Sequence, residues 1–298
     1  MYEVKSDSKR KSYYLGVLYI ILSAFFFALM AVFIRLAGDL PTVEKAFFRN
    51  LVAFFVAGVM LIKSGDKIHV PKEAWFPIVM RALFGTLGLY CNFYAVDHLL
   101  LSDASILNKM SPFFAVVGSY FILKEKFTPF QGGAVFIAFL GGMLVVKPSF
   151  SSLDFLPAAI GLLGGVGAGL AYSFLRKAGT YGVKGSFVVL FFSGFSCVVS
   201  LPFMIFSFVQ PTWYQFIMLL LCGASAAAGQ FTITAAYYHA PAKQISVFDY
   251  TQLIFSTAMG FFIFGQTPDH WSVIGYAVIV SMAIAMFFYN KSGRGEEK

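Results

Sequence analysis

The sequence predicts an all-α integral membrane protein with ten transmembrane helices in two inverted-topology five-helix repeats. Three observations carry that expectation. The 298 residues are 59% apolar and 12% charged, with a mean hydropathy of +0.77, against roughly half apolar and a quarter charged in soluble domains. The apolar residues gather in stretches of about 20, the length that crosses a hydrocarbon core about 30 Å thick at about 1.5 Å per residue. The chain also matches itself in order and without gaps at an offset of 141 residues.

The basic tail 1–12 precedes a span over 13–36, too long for the apolar core of a signal peptide. Spans two to five are expected at 43–62, 75–96, 103–123 and 129–147, and spans six to ten at 157–176, 185–207, 213–237, 244–265 and 270–290. The connections are short and carry Pro, Gly, Asp or Lys, as hairpins at a membrane surface do. Trp75, Trp213 and Trp271 fall near span ends, where indole rings anchor. The units are therefore a tail (1–12), a first repeat (13–147), a second repeat (157–290) and a tail (291–298). No room remains for a second soluble domain of even about 50 residues.

With the N-terminus cytoplasmic, the inner segments hold sixteen Lys and Arg and the outer ones three, Arg35, Lys45 and Lys147. That bias places both termini in the cytoplasm and the chain in the cytoplasmic membrane. It also accounts for the net charge of +8 without nucleic acid. Cys91, Cys197 and Cys222 lie in apolar stretches without metal-ligand spacing and are expected to pack.

At the offset of 141, Phe33, Arg35, Ala37 and Gly38 meet Phe174, Arg176, Ala178 and Gly179. Gly88, Ala95, His98 and Ser105 meet Gly229, Ala236, His239 and Ser246, and Phe114, Phe121 and Ile122 meet Phe255, Phe262 and Ile263. Five spans per unit is an odd number, so the two copies enter the membrane in opposite directions, the plan of many secondary transporters.

Leu107-Asn108-Lys109-Met110-Ser111-Pro112, then Leu123-Lys124-Glu125-Lys126, the glycines 132, 133, 141 and 142 of span five, and Arg49 in Phe47-Phe48-Arg49-Asn50 form a set of motifs that resembles the EamA domain. With ten spans in a tandem repeat, the chain is similar over nearly its whole length to the EamA-type branch of the drug/metabolite transporter superfamily. The second copy departs from the pattern, with Gln266 at the acidic position and Leu253 at the proline. The resemblance implies a transporter of small organic metabolites, with no resident cofactor or metal.

Ionisable side chains within the hydrocarbon cost about 2.5 to 3.5 kcal/mol or more on insertion scales, so each needs a partner, a wet cavity or a role. Four qualify: Arg49, Arg81, Lys109 and Asp249. Depth along each span pairs Arg81 with Asp249 near the inner face, as a gating or proton-coupling pair. It leaves Arg49 and Lys109 together near the outer face, where they are expected to hold a carboxylate or phosphate. The alternatives are a snorkelling Arg49 and a Lys109 bound to Glu44.

Polar stripes at helical spacing line the expected cavity: Ser105, Asn108, Lys109, Pro112 and Ser119 on span four, and Ser246, Asp249, Tyr250, Ser256 and Thr257 on span nine. Span three adds Arg81 and Asn92, and span eight adds Gln230, Thr234 and Tyr237. Pro112 cannot donate to the Asn108 carbonyl and is expected to break span four. Tyr90, Tyr94, Tyr172, Tyr237 and Tyr250 are the candidates for stacking on a planar ligand. Gly161, Gly165 and Gly169 of span six form a surface for close helix packing and not a nucleotide loop. His98 and His239 are expected as hydrated end residues.

No hydrolase elbow, zinc-protease motif or Walker sequence occurs, so neither an enzyme nor a primary pump is expected. The favoured function is a secondary transporter of an amino acid or other carboxylate-bearing solute by alternating access. The alternatives are an exporter of aromatic or cationic amphiphiles and an uncoupled facilitator.

Overall fold

The computed structural model describes residues 2–64, 69–98, 107–146, 155–265 and 270–292. The expectations placed on Ser105, Lys147, Gln266 and the end of the C-terminal tail fall outside the described residues. Ten long helices carry the described chain: α1 Tyr2–Leu36, α2 Thr42–Lys63, α3 Lys72–His98, α4 Ser111–Leu123, α5 Pro129–Val146, α6 Phe155–Thr180, α7 Gly185–Phe206, α8 Trp213–His239, α9 Thr251–Phe264 and α10 His270–Lys291. Their bounds follow the expected spans except at three starts: α1 begins in the basic tail, the first long run of span four begins only at Ser111, and that of span nine only at Thr251. Among the described residues, eight stretches are long and apolar enough to cross a membrane, and Ser111–Leu123 and Pro129–Leu144 are shorter apolar helices.

Two spans are interrupted. Leu107–Met110 forms a tight turn, with the Met110 amide bonded to the Leu107 carbonyl at 3.2 Å, ahead of Pro112 near the start of α4. A helical turn Ala242–Ile245 and a 3₁₀ segment Ser246–Tyr250 precede α9. Pro112 removes one helical donor in the first case. In the second, the Thr251 hydroxyl takes the Phe248 carbonyl at 2.7 Å, a side-chain competitor for the backbone ladder.

α3 runs along α6 and α1 along α8, the two most extensive helix contacts. α2 packs on α7, α5 on α10, α4 on α6 and α9 on α1. Glycine permits the closest approaches. A Cβ on Gly165 would stand 2.4 Å from the Leu107 carbonyl oxygen, and one on Gly169 2.6 Å from the Phe114 Cβ. The glycine face of α6 therefore receives the interrupted span four, while Gly164 and Gly167 meet α3 at Gly88, the close packing expected of a small-residue stripe.

The surface is apolar in the manner of a lipid-facing one. Phe55, Ile62, Phe76, Phe121, Val198, Phe206 and Phe262 are all more than 60% exposed, which water would penalise and acyl chains do not. Arg49, Arg81, Asp249, Gln230 and Thr234 are buried instead.

Candidate functional site

The two interrupted spans meet. The Lys109 ammonium donates to the Gln252 amide oxygen at 2.6 Å and lies 3.5 Å from Asp249 Oδ2. Lys109 stands on the turn before α4, Asp249 on the 3₁₀ segment and Gln252 in the first turn of α9, so one cation ties the two breaks together. The lysine and aspartate side chains are 12% and 8% exposed, a pair largely taken from solvent.

This arrangement corrects the pairing expected from sequence. Asp249 meets Lys109 and not Arg81, and Lys109 has an acid beside it. The expected depths assume regular α-helix throughout both spans, whereas Lys109 lies on a turn and Asp249 on a 3₁₀ segment, so neither side chain keeps the position a straight α-helix gives it. Nor does Lys109 reach Glu44, which accepts the Val209 amide at 3.1 Å in the α7–α8 connection.

Arg81 donates from one terminal nitrogen to the Gln230 amide oxygen at 3.1 Å and lies 4.2 Å above the Phe192 ring. Such a stack attracts a desolvated guanidinium to the ring face. The Arg81 Nε is buried and has no partner among the described residues. A Cβ on Gly85 would run into the guanidinium, so this glycine gives the side chain its space. Arg49 donates to the Met30 sulfur at 3.2 Å and to Asn50 Oδ1 at 3.5 Å, and it does not snorkel: it is 7% exposed.

The Tyr172 ring stacks on Tyr237 at 5.1 Å between centroids. Tyr250 is fully buried with an unpartnered hydroxyl. The Thr234 hydroxyl bonds within α8 to the Gln230 carbonyl at 2.6 Å. Asn108 is half-buried at the span-four turn, and Asn92 is half-buried where the α3 backbone passes Gly164.

Two of the expected tyrosines are engaged elsewhere. Tyr90 donates to Ser200 at 2.8 Å in the α3–α7 contact, beside a Thr86–Ser196 bond at 2.7 Å. Tyr94 stacks on His98 at 4.0 Å at the end of α3. His239 is half-buried rather than hydrated, stacked on Tyr19 at 5.6 Å with Ser12 on its ring nitrogen at 3.2 Å. Gln252 was missed by sequence reasoning, although its spacing of three from Asp249 puts both on one helical face.

One end of the bundle is clasped. Arg176 of α6 donates to Glu125 at 2.9 Å and to the Tyr237 carbonyl at 2.9 Å, and Lys243 donates to the Lys126 carbonyl at 2.7 Å. Gln131 reaches Asn290 at 3.3 Å at the same end.

The EamA-like transporter family model matches residues 14–147. The pseudopaline exporter of Pseudomonas aeruginosa is 31% identical over 91% of this chain and 95% of its own, and an uncharacterised transporter of Helicobacter pylori is 25% identical over 91% and 94%. Solute carrier family 35 member G1 of mouse is 25% identical over 89% of this chain and 76% of its own. A solved crystal structure superposes with a TM-score of 0.79 at 16% identity, covering 93% of this chain and 98% of that one, which fixes the fold. A relative of this similarity along nearly the whole of both chains shows that the protein belongs to the EamA-like transporter family, multi-pass membrane proteins that move small metabolites rather than enzymes.

Proposed function

We propose that the chain is a secondary transporter of an amino acid or other carboxylate-bearing solute, worked by alternating access between two inverted five-helix repeats. The observation that carries the proposal is the Lys109–Asp249–Gln252 contact. It joins the interrupted span of one half to the interrupted span of the other, where transporters of this plan hold their substrates.

Several features support the repeat of 13–147 and 157–290. At the offset of 141, the α3–α6 contact maps onto α8–α1, α4–α6 onto α9–α1, and α2–α7 and α5–α10 each onto themselves. Lys124 and Gly265, at equivalent positions past α4 and α9, both adopt left-handed backbone, with φ of 58° and 67°. The two interruptions also fall at equivalent places, so Asn108 and Lys109 correspond to Asp249 and Tyr250.

In this reading Lys109 holds the carboxylate, and Arg49 and Arg81 add positive field. Asn108, Asn92, Gln230 and Thr234 supply hydrogen bonds, and Tyr237 and Tyr250 supply stacking surface. Tyr90 and Tyr94 join the wall only where helix motion frees them from Ser200 and His98. Asp249 exchanges Lys109 for a proton or for a substrate ammonium, which gives the cycle its coupling step. Both termini are cytoplasmic, so the Arg176–Glu125 end faces the cytoplasm. The name of the Pseudomonas aeruginosa relative supports export as the direction.

Counterflow into proteoliposomes loaded with single amino acids or organic acids tests the proposal. A carboxylate solute should exchange, and Lys109→Ala should slow it at least about tenfold, the loss of one charged hydrogen bond. Exchange of cationic dyes alone, unchanged in Lys109→Ala, would move the site to Asp249 and the tyrosines and make the chain an amphiphile exporter.

A further inference from the structure

We infer, resting on the carboxylate-transport reading above, that the ligand carries at least two acidic groups, one taken at Lys109 and the second at Arg81. Among the described residues the centre of the bundle holds three cations, Arg49, Arg81 and Lys109, and one carboxylate, Asp249. Glu44 is bound to Val209 in a connection and Glu125 to Arg176 at the clasped end. The centre is left with two uncompensated positive charges in a low-dielectric surround, where isolated charge is costly. A zwitterionic solute is neutral and changes nothing in that sum, and a monocarboxylate removes half of it. A dicarboxylate removes all of it.

Hydrogen bonding points the same way: among the described residues Arg81 Nε and Asn50 Nδ2 are buried donors without acceptors, each a group that costs about 1 to 3 kcal/mol when left unmade. The hydroxyls of Ser193, Ser246 and Tyr250 are also unpartnered. The strict acceptors without donors, Glu44 Oε1 and Glu125 Oε2, belong to residues placed at the two ends. At the centre, therefore, donors are in excess and acceptors are short, and each carboxylate brings about four acceptor sites.

The two subsites are separate. Lys109 is fixed by Gln252 and Asp249, which leaves one of its three ammonium donors free. Arg81 is fixed by Gln230 and the Phe192 face, with its Nε buried and unpartnered among the described residues. The two cations share no hydrogen-bond partner among the described residues. An elongated ligand with an acid at each end would meet both.

The test uses the purified full chain in detergent, with thermal unfolding midpoints at constant ionic strength. The probes are succinate, glutarate and aspartate, each beside its monoamide or monocarboxylate counterpart, with sodium chloride as the salt control. Diacids are expected to raise the midpoint with an apparent Kd at least about tenfold below that of the monoamides, the effect of one charge-assisted hydrogen bond. Arg81→Gln should shrink that ratio to below about threefold, whereas Lys109→Gln should weaken both classes. Arg81→Lys keeps the charge and should keep the preference, and the wild-type comparison needs no variant to fold. Equal wild-type responses to diacid and monoamide would overturn the second acid group and leave the carboxylate transporter standing. A panel in which no carboxylate stabilises the wild type would overturn both.

Discussion

Asp249 and Lys109 depend on each other because neither has water as an alternative. With both side chains about one-tenth exposed, removing one partner leaves the other as an unpaired buried charge, which costs about 3 to 5 kcal/mol when burial is complete. Lys109→Gln and Asp249→Asn should each lower stability by about 2 to 3 kcal/mol, discounted for the exposure that remains. The double variant should recover about 1 to 3 kcal/mol of the summed loss. Thermal or denaturant unfolding of the four proteins measures this coupling, and additive losses would show that the pair at 3.5 Å does not interact. The four intramembrane charges were legible in sequence because hydrocarbon makes every charge conspicuous. Their partners were less so, since Gln252, Phe192 and Met30 are unremarkable residue types in an apolar chain and only a fold brings them to a cation.

Helix ends followed the sequence closely where apolar runs meet Pro, Gly or Lys, and the two interruptions are where that legibility fell. Pro112 announced the break in span four, but nothing as plain announced the 3₁₀ segment over Ser246–Tyr250. The turn bearing Lys109 and the 3₁₀ segment bearing Asp249 meet in place of the pairing that straight helices would give. The glycines of α6 now have a stated purpose: they let the carbonyl of Leu107 approach closer than any side chain permits. Gly165→Ala places a methyl group 2.4 Å from that oxygen, and backbone on both sides has little freedom to yield. The expected loss is about 1 to 3 kcal/mol, as for other overpacked contacts. The turn bearing Lys109 should also shift, so ligand-induced stabilisation should fall with it. Gly133→Ala on α5, where a Cβ meets nothing within 4 Å, is the control and should leave unfolding midpoints within the range of a surface change. Equal effects of the two substitutions would mean that the α6 contact is not close-packed in the membrane.

The all-helical, membrane-embedded character was visible in sequence because hydropathy needs no tertiary contact to be read, and the ten spans paired in halves by the 141-residue offset are the reading proposed from it. The difference between the two ends of the bundle was not visible. α6 packs on α8 through Tyr172 and Tyr237, whereas α1 and α3, their counterparts at the offset, form no extensive contact among the described residues. Arg176 closes its end onto Glu125 and the Tyr237 carbonyl. Its counterpart Arg35 lies over the Phe264 ring at 4.6 Å, and Gln266 stands in sequence where Glu125 has its acid. An alternating-access cycle must break the first clasp to open that end, so the acid at 125 biases the equilibrium toward closure there. The pair is about one-fifth exposed, so its contribution is about 1 kcal/mol, and Glu125→Gln should raise the population open at this end roughly fivefold. Spin labels on Lys126→Cys and Thr180→Cys, both exposed and on opposite sides of the clasp, would read this as a second, longer distance population in pulsed dipolar spectra. The variant should also transport with altered turnover while binding ligand as before, because Glu125 is remote from Lys109 and Arg81 in the contacts it makes. An unchanged distance distribution in Glu125→Gln would mean that the Tyr172–Tyr237 stack, and not the ion pair, holds this end shut, and Tyr237→Ala would then be the variant that opens it.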